Sequence, residues 1–283
     1  MRSEQYTVIS GKEGDIRIES RILEERLQSA VADGSRRILV KAFGQHGIGG
    51  RLWRAGDEAV EIRIEGHPGQ RVGSMGAANT IIHVMNAVSD DVGWLNGGAT
   101  IVVHGNATNG VANAMAQGKV YVAGNIGARG MTMTKSNPRF APPELWVLGS
   151  VGDYFGEFMA GGTAVICGIG AQNPGNVLGY RPFVGMVGGM VFFRGPHTGF
   201  SEADATLKPI DDGRWQWLVD NLARYLAAID REDLTDQLSV RGEWQLIAAR
   251  TPRKKQPPQG VPWPNFTGRC GTGSWGRGGS SGT

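Results

Sequence analysis

The chain has 283 residues, of which 45 are glycine and 19% are charged, and its formal net charge at pH 7 is +3. The glycines keep no three-residue period, which excludes a collagen-like chain and leaves a soluble protein with room for a sizeable core. No apolar run approaches the roughly 20 residues that cross a bilayer, and the first residues, MRSEQYTVIS, lack the apolar region of a signal peptide. We therefore expect a cytoplasmic protein that contacts no membrane.

Cysteine is scarce in this sequence. Cys167 and Cys270 lie far apart and belong to no CxxC pair. This spacing argues against an iron–sulfur cluster, a zinc site or a disulfide framework, and leaves a single bridge open. Two histidines, His83 and His104, each lie among apolar residues, where a satisfied strand histidine is favoured over a metal ligand.

Residues 1–60 are predicted to form a small αβ cap in front of a series of repeats. A helix is expected from Ser20, as its capping residue, to about Asp33, with its apolar residues on one face. A strand, Arg37 to Phe43, follows. The glycine-rich loop 44–50 is interpreted as a turn into the repeats rather than a phosphate-binding loop, because no helix pattern follows it.

Residues 61–200 contain four copies of one pattern, in which a glycine pair or Gln-Gly leads into a short strand that closes on another glycine. The residue two before the closing glycine is apolar in every copy, as a strand with one buried face requires. The copies are 20, 44 and 27 residues apart, which predicts coils of about twenty residues and one further coil in the longest interval. The repeat glycines are Gly97, Gly98, Gly105, Gly118, Gly124, Gly161, Gly162, Gly168, Gly188, Gly189 and Gly195.

Stacked coils of this kind form a parallel β-helix, because each coil buries its apolar row only against its neighbours. We therefore predict a mainly β fold, a single-stranded right-handed parallel β-helix over residues 61–200. Glycine is expected at the coil corners, where the backbone turns through positive φ. Residues 134–145 carry three prolines and are predicted to be an insertion loop.

Residues 201–249 are predicted to be a helical C-terminal segment. Asp211 or Asp212 caps a helix whose wide, aromatic face packs either on the coils or on a partner, and a second helical piece is expected from Asp233 to Ala249. Residues 250–283 hold six basic residues and no acidic one. This basic tail, rich in Pro, Gly and Ser, is expected to be disordered unless a partner orders it.

The most specific stretch runs from Gly152 to Gly168 and reads GDYFGEFMAGGTAVICG. It resembles the signature of the glycine-rich β-helix at the C-terminus of the glutamate synthase large subunit. The residues that carry the motif are Gly152, Asp153, Gly156, Glu157 and Met159. The layout of the chain is similar to stand-alone versions of this domain, which are encoded beside separate amidotransferase and synthase subunits.

This resemblance implies a non-catalytic scaffold subunit of a glutamate synthase-like complex. It implies two partners, an FMN-binding glutamate synthase-like subunit and a class II glutamine amidotransferase-like subunit. FMN and an iron–sulfur cluster are expected in partner subunits, and no catalytic, cofactor-binding or metal-ligating residue is expected in this chain. The resemblance leaves open whether the complex makes glutamate or N-methylglutamate.

Three alternatives remain at this stage. The β-helical subunit of a formylmethanofuran dehydrogenase or formyltransferase/hydrolase complex carries a similar glycine repeat. A polysaccharide-acting β-helix needs clustered carboxylates, for which Asp153 and Glu157, four residues apart in one turn segment, are poorly placed. The basic tail, with Trp263, Phe266 and Trp275, could bind nucleic acid or an acidic partner, of which nucleic acid is disfavoured.

Overall fold

The computed structural model describes residues 6–250, so the predicted tail lies outside the described residues apart from Arg250. Within that range the chain forms thirteen β-strands and three α-helices. The strands are β1 (Thr7–Ser10), β2 (Lys12–Glu13), β3 (Ile16–Arg17), β4 (Arg37–Phe43), β5 (Val60–His67), β6 (Thr80–Val84), β7 (Gly97–Val103), β8 (Gln117–Val122), β9 (Glu144–Val147), β10 (Ala160–Ile166), β11 (Gly188–Arg194), β12 (Ala205–Lys208) and β13 (Trp244–Ala249). The helices are α1 (Ser20–Ala32), α2 (Asp212–Ala228) and α3 (Thr235–Leu238).

Eleven of the strands form one sheet, in the order β1-β4-β5-β6-β7-β8-β9-β10-β11-β13-β12. Every pair from β1 to β11 is parallel, and β13 and β12 close one edge of the sheet by antiparallel pairing. The prediction of a mainly β chain is confirmed. None of the helices formed by residues 6–250 is long and apolar enough to span a lipid bilayer.

One buried residue of each strand stacks on its counterpart in the next strand. The row is Ile62, Ile82, Ile101, Val120, Leu145, Ala164 and Val191, all with no exposed surface. Successive members are 19 or 20 residues apart, except for 25 between Val120 and Leu145 and 27 between Ala164 and Val191. β9 lies between β8 and β10, so the longest interval contains a further strand, as the prediction of a further coil requires.

The chain returns from each strand to the next through a triplet of alternate residues whose φ angles lie between 50° and 77°. We call these residues the first, middle and third positions of a triplet. The seven triplets are Gly47, Gly49 and Arg51; Arg71, Gly73 and Met75; Asp91, Gly93 and Leu95; Gly110, Ala112 and Ala114; Arg129, Met131 and Met133; Tyr154, Gly156 and Phe158; and Arg181, Phe183 and Gly185.

Backbone hydrogen bonds connect the triplets from coil to coil. The N–H of Leu95 donates to the carbonyl of Asn113 in the next coil at 3.0 Å, and the N–H of Gly93 donates to that of Val72 in the previous coil at 2.9 Å. A non-glycine residue in this left-handed region costs roughly 1–2 kcal/mol. The coil-to-coil hydrogen bonds and burial of the middle position stabilise a conformation that these residues do not prefer alone.

The N-terminal cap differs in detail from the prediction. α1 begins at Ser20, but Glu19 is its N-cap residue, and the Ser20 hydroxyl accepts a hydrogen bond from the N–H of His46 at 2.9 Å. The prediction of Ser20 as the capping residue is therefore wrong, because this hydroxyl is used to hold the loop after β4. The predicted strand from Arg37 to Phe43 is confirmed as β4, which pairs with β5 in the large sheet.

The C-terminal region contains the largest error of the sequence analysis. α2 is capped as predicted, since the Asp211 carboxylate accepts from the N–H of Arg214 at 2.9 Å. The second helical piece predicted from Asp233 to Ala249 is confirmed only at its start, where α3 and short 3-10 turns lie, and is wrong at its end, because Trp244–Ala249 is the strand β13. β13 pairs with β11 and β12 and covers what would otherwise be an open sheet edge. This pairing with distant strands outweighs the helical pattern of the local sequence.

Candidate interaction surfaces

The signature motif lies between β9 and the end of β10, and its side chains connect neighbouring coils. The Asp153 carboxylate accepts from the N–H of Tyr180 at 2.9 Å, and the Glu157 carboxylate lies 3.9 Å from the guanidinium of Arg129. Met159 is fully buried in the core. The two carboxylates therefore have separate structural partners and do not face each other across a cleft.

Two glycines of the motif, Gly152 and Gly156, lie where there is no room for a side chain. A Cβ on Gly152 would lie 2.6 Å from the carbonyl carbon of Gly127, and one on Gly156 would lie 2.8 Å from the ring of Phe183. Both distances are shorter than real Cβ contacts. These two glycines allow neighbouring coils to approach, as the repeat requires.

The eleven repeat glycines fall into two groups. Six have positive φ, as the prediction of glycine corners expects, namely Gly98, Gly118, Gly162, Gly168, Gly189 and Gly195. The other five have ordinary φ and lie where a Cβ would come within 3.3 Å of a neighbouring coil, namely Gly97, Gly105, Gly124, Gly161 and Gly188. Close backbone approach, and not only turning, therefore explains the glycine content.

One outer face of the sheet is covered by α2. Tyr121, Trp146 and Phe192 project outward from β8, β9 and β11 and pack against Trp217 and Tyr225 of the helix, with ring centroids 5.4 to 5.8 Å apart in the closest pairs. The Tyr225 hydroxyl donates to the carbonyl of Val122 at 2.8 Å. The aromatic face of α2 therefore packs on the coils, which decides between the two alternatives that the sequence left open.

The reactive groups near this face are held in neutral forms. Burial raises the pKa of the Cys167 thiol and that of the Tyr225 hydroxyl, so neither ionises near neutral pH. The rings of His83 and His104 stack with Nδ1 of the first 3.3 Å from Nε2 of the second, and burial lowers both pKa values. Among residues 6–250, no group of three His, Cys, Asp or Glu side chains could hold a metal ion.

An open cleft of about 610 Å³ lies beside α1 and the loop after β4. Glu24 contributes to its wall, and one of its carboxylate oxygens is buried without a hydrogen-bond partner. Burial raises the pKa of this carboxyl to about 7. A buried carboxyl with a raised pKa makes the stability of the fold depend on pH.

The face formed by the triplets is open. At the third position, or two residues beyond it, a large apolar side chain reaches solvent in five of the six coils from Met75 to Val187, and the remaining coil has Ala114 and Ala116 there. We call this surface the apolar band, and it consists of Met75, Leu95, Met133, Phe158 and Val187. Leu95, Met133, Phe158 and Val187 expose 40%, 56%, 56% and 61% of their surface. The band is not visible in the sequence, because only seven of the 21 triplet residues are glycine and the alternate spacing of the triplets is hidden.

The stacked strands, the repeated triplets and the closely packed glycines define a repeat protein whose coils are connected mainly through the backbone. The chain matches the GXGXG motif family over residues 23–210 and belongs to that family. GXGXG domains are found in glutamate synthase-type proteins. A search of curated proteins found none that matches this chain.

Proposed function

We propose that the chain is a single-stranded right-handed parallel β-helix that serves as a non-catalytic scaffold subunit of a glutamate synthase-like complex. In this role it holds a class II glutamine amidotransferase-like subunit beside an FMN-binding glutamate synthase-like subunit. The observation that carries the proposal is the uninterrupted parallel stack from β4 to β11. At about 4.8 Å per strand, these eight strands extend over roughly 34 Å.

A stack of this kind suits a spacer. Each coil is joined to the next by strand pairing on one side and by triplet hydrogen bonds on the other. Ammonia produced at one active site must reach a second site before it escapes into water. A rigid body that holds the two sites at a constant distance shortens that path.

The roles of the chain's own functional groups agree with scaffolding. Asp153 and Glu157 connect coils, and burial raises the pKa of the Cys167 thiol, which removes it as a nucleophile near pH 7. An iron–sulfur cluster is bound by about four thiolates, whereas residues 6–250 contain Cys167 alone. In this proposal the cluster and FMN belong to the partner subunits, and the FMN-binding subunit selects between glutamate and N-methylglutamate formation.

The proposal is tested by tagging the full chain and purifying it from its own cells at moderate salt. We expect two identified partners in comparable amounts, one with a flavin absorbance spectrum and one an amidotransferase-like chain. Recovery of formylmethanofuran dehydrogenase or formyltransferase/hydrolase subunits would replace the proposal with that alternative. Recovery of the chain alone, as a monomer with its own turnover, would overturn the scaffold role.

A further inference from the structure

The apolar band runs along the stack and is bridged by alanines, Ala114 and Ala116, in the coil between Leu95 and Met133. The N–H of Met75 donates to the carbonyl of Trp94, beside Leu95, at 2.9 Å, and the N–H of Met133 donates to that of Glu157, beside Phe158, at 3.1 Å. These hydrogen bonds keep the third positions in line from coil to coil. Five steps lead from the coil of Met75 to that of Val187, which is about 24 Å at the usual spacing of hydrogen-bonded strands.

Several exposed apolar side chains aligned along one face need an explanation that isolated ones do not. Phe158, Met133 and Leu95 have φ angles of 54° to 55°, where glycine, asparagine or aspartate would be easier to accommodate. Large apolar residues at these positions therefore combine two unfavourable features, backbone strain and exposure to water. Burial against another protein would compensate for the exposure.

The charge on the band indicates the kind of partner. Six coils lie between Met75 and Val187, and each contributes its third position and the residue two beyond it. Of these twelve residues, Lys135 is the one that carries a charge. Lys135 and Arg139 lie on the exposed loop that follows Met133, and neither forms a salt bridge within residues 6–250. The loop also exposes 52% of Phe140.

We infer that the apolar band is a docking site for a partner protein whose apolar surface carries carboxylates opposite Lys135 and Arg139. Protein interfaces are enriched in aromatic residues and Met at their centres and depleted of acidic residues there, as this band is. A length of about 24 Å suits a standard interface of roughly 800 Å² per partner. The inference rests on the proposed function, because it names the face by which the scaffold holds one of its subunits.

The test uses the tagged full chain with the double substitution Met133→Asn and Phe158→Asn. Asparagine tolerates positive φ, so the variant should melt no lower than the wild type while the apolar contact is removed. Val240→Asn is the matched control, because Val240 exposes 47% of its surface but lies far along the chain from the band. Lys135→Glu tests the charge, and a photo-crosslinking residue at position 158 or 240 identifies the contacting chain.

We expect the double variant to recover at least tenfold less of one identified partner, with Lys135→Glu giving a smaller, salt-dependent loss and Val240→Asn none. We also expect position 158, but not 240, to cross-link that partner beside acidic residues. If the wild type recovers the flavoprotein and the amidotransferase and the double variant recovers both equally well, the docking site is wrong and the proposed function stands. If the wild type recovers neither subunit, the proposed function fails. If position 158 cross-links to a second copy of the chain, or to no protein, the docking site is wrong as well.

Discussion

Gly168 and Gly170 provide a matched pair that tests the stacking of the coils. Both are glycines after β10 with similar backbone conformations, φ 69° and 63°. They differ in the space around them. A Cβ on Gly168 would lie 2.2 Å from the carbonyl oxygen of Arg194 in the next coil, whereas one on Gly170 would have no atom within 4 Å.

The two alanine variants should therefore differ in stability by the cost of the coil contact. Gly168→Ala and Gly170→Ala each force alanine into the left-handed region, at roughly 1–2 kcal/mol. Gly168→Ala also requires the ends of β10 and β11 to separate by about an ångström, which we place at roughly 1–3 kcal/mol by comparison with overpacked cores. We expect a loss of roughly 1–2 kcal/mol for Gly170→Ala and roughly 2–5 kcal/mol for Gly168→Ala.

Urea unfolding followed by circular dichroism measures both variants against the wild type. The comparison requires equal urea dependence of the free energy, which shows that the same surface is exposed on unfolding. Equal losses in the two variants would refute the reasoning, because glycine would then be needed at Gly168 for its φ angle alone. A larger loss at Gly170 would contradict the description of the coil contact itself.

Three further predictions follow from the core. Gly162 has a φ of 95°, and a Cβ at this position would lie 2.8 Å from the carbonyl oxygen of Pro143. Gly162→Val should therefore unfold the stack. A native circular dichroism spectrum of this variant would contradict the strand register described above. Glu24 has a folded-state pKa of about 7 against 4.5, so its own contribution to the free energy of unfolding should fall by about 3 kcal/mol as pH rises from 4.5 to 7. Urea titrations of the wild type and Glu24→Gln isolate this contribution as a difference, because His83 and His104, whose pKa values are lowered, act in the opposite direction in both proteins. Tyr225→Phe removes one of two hydrogen bonds that the buried Val122 carbonyl accepts, the other coming from the N–H of Leu148 at 3.0 Å. It should cost roughly 1 kcal/mol in urea unfolding, whereas no loss would show that α2 needs no polar anchor.

The comparison of sequence and structure shows which signals are local. The apolar alternation of β7, β8, β10 and β11 is visible in the sequence, because a buried residue at every second position is a property of each strand alone. The weaker β9 was found only as a gap of suitable length. β13 was misassigned, since Trp244–Ala249 becomes a strand by pairing with β11, which lies about fifty residues earlier in the chain.

The surface features of the fold also divide into those that local sequence predicts and those that depend on tertiary contacts. The sequence predicts strands with one buried face, whereas the packing of α2 also buries Tyr121, Trp146 and Phe192 on the outward face. The apolar band could not be predicted from local rules, because Phe158 and Met133 adopt positive φ against their own preference. Coil-to-coil hydrogen bonds impose that conformation, and they exist only in the folded stack.

The amino-acid sequence by itself determined that the chain is built of glycine-rich coils with one apolar residue row, because strand alternation, helix capping and glycine placement act within a few residues. The tertiary structure decided which face α2 covers, which strand closes the sheet and which apolar side chains remain in water. Those outcomes depend on contacts between coils that lie about twenty residues or more apart in the chain, and their energy is gained only when neighbouring coils are already in place.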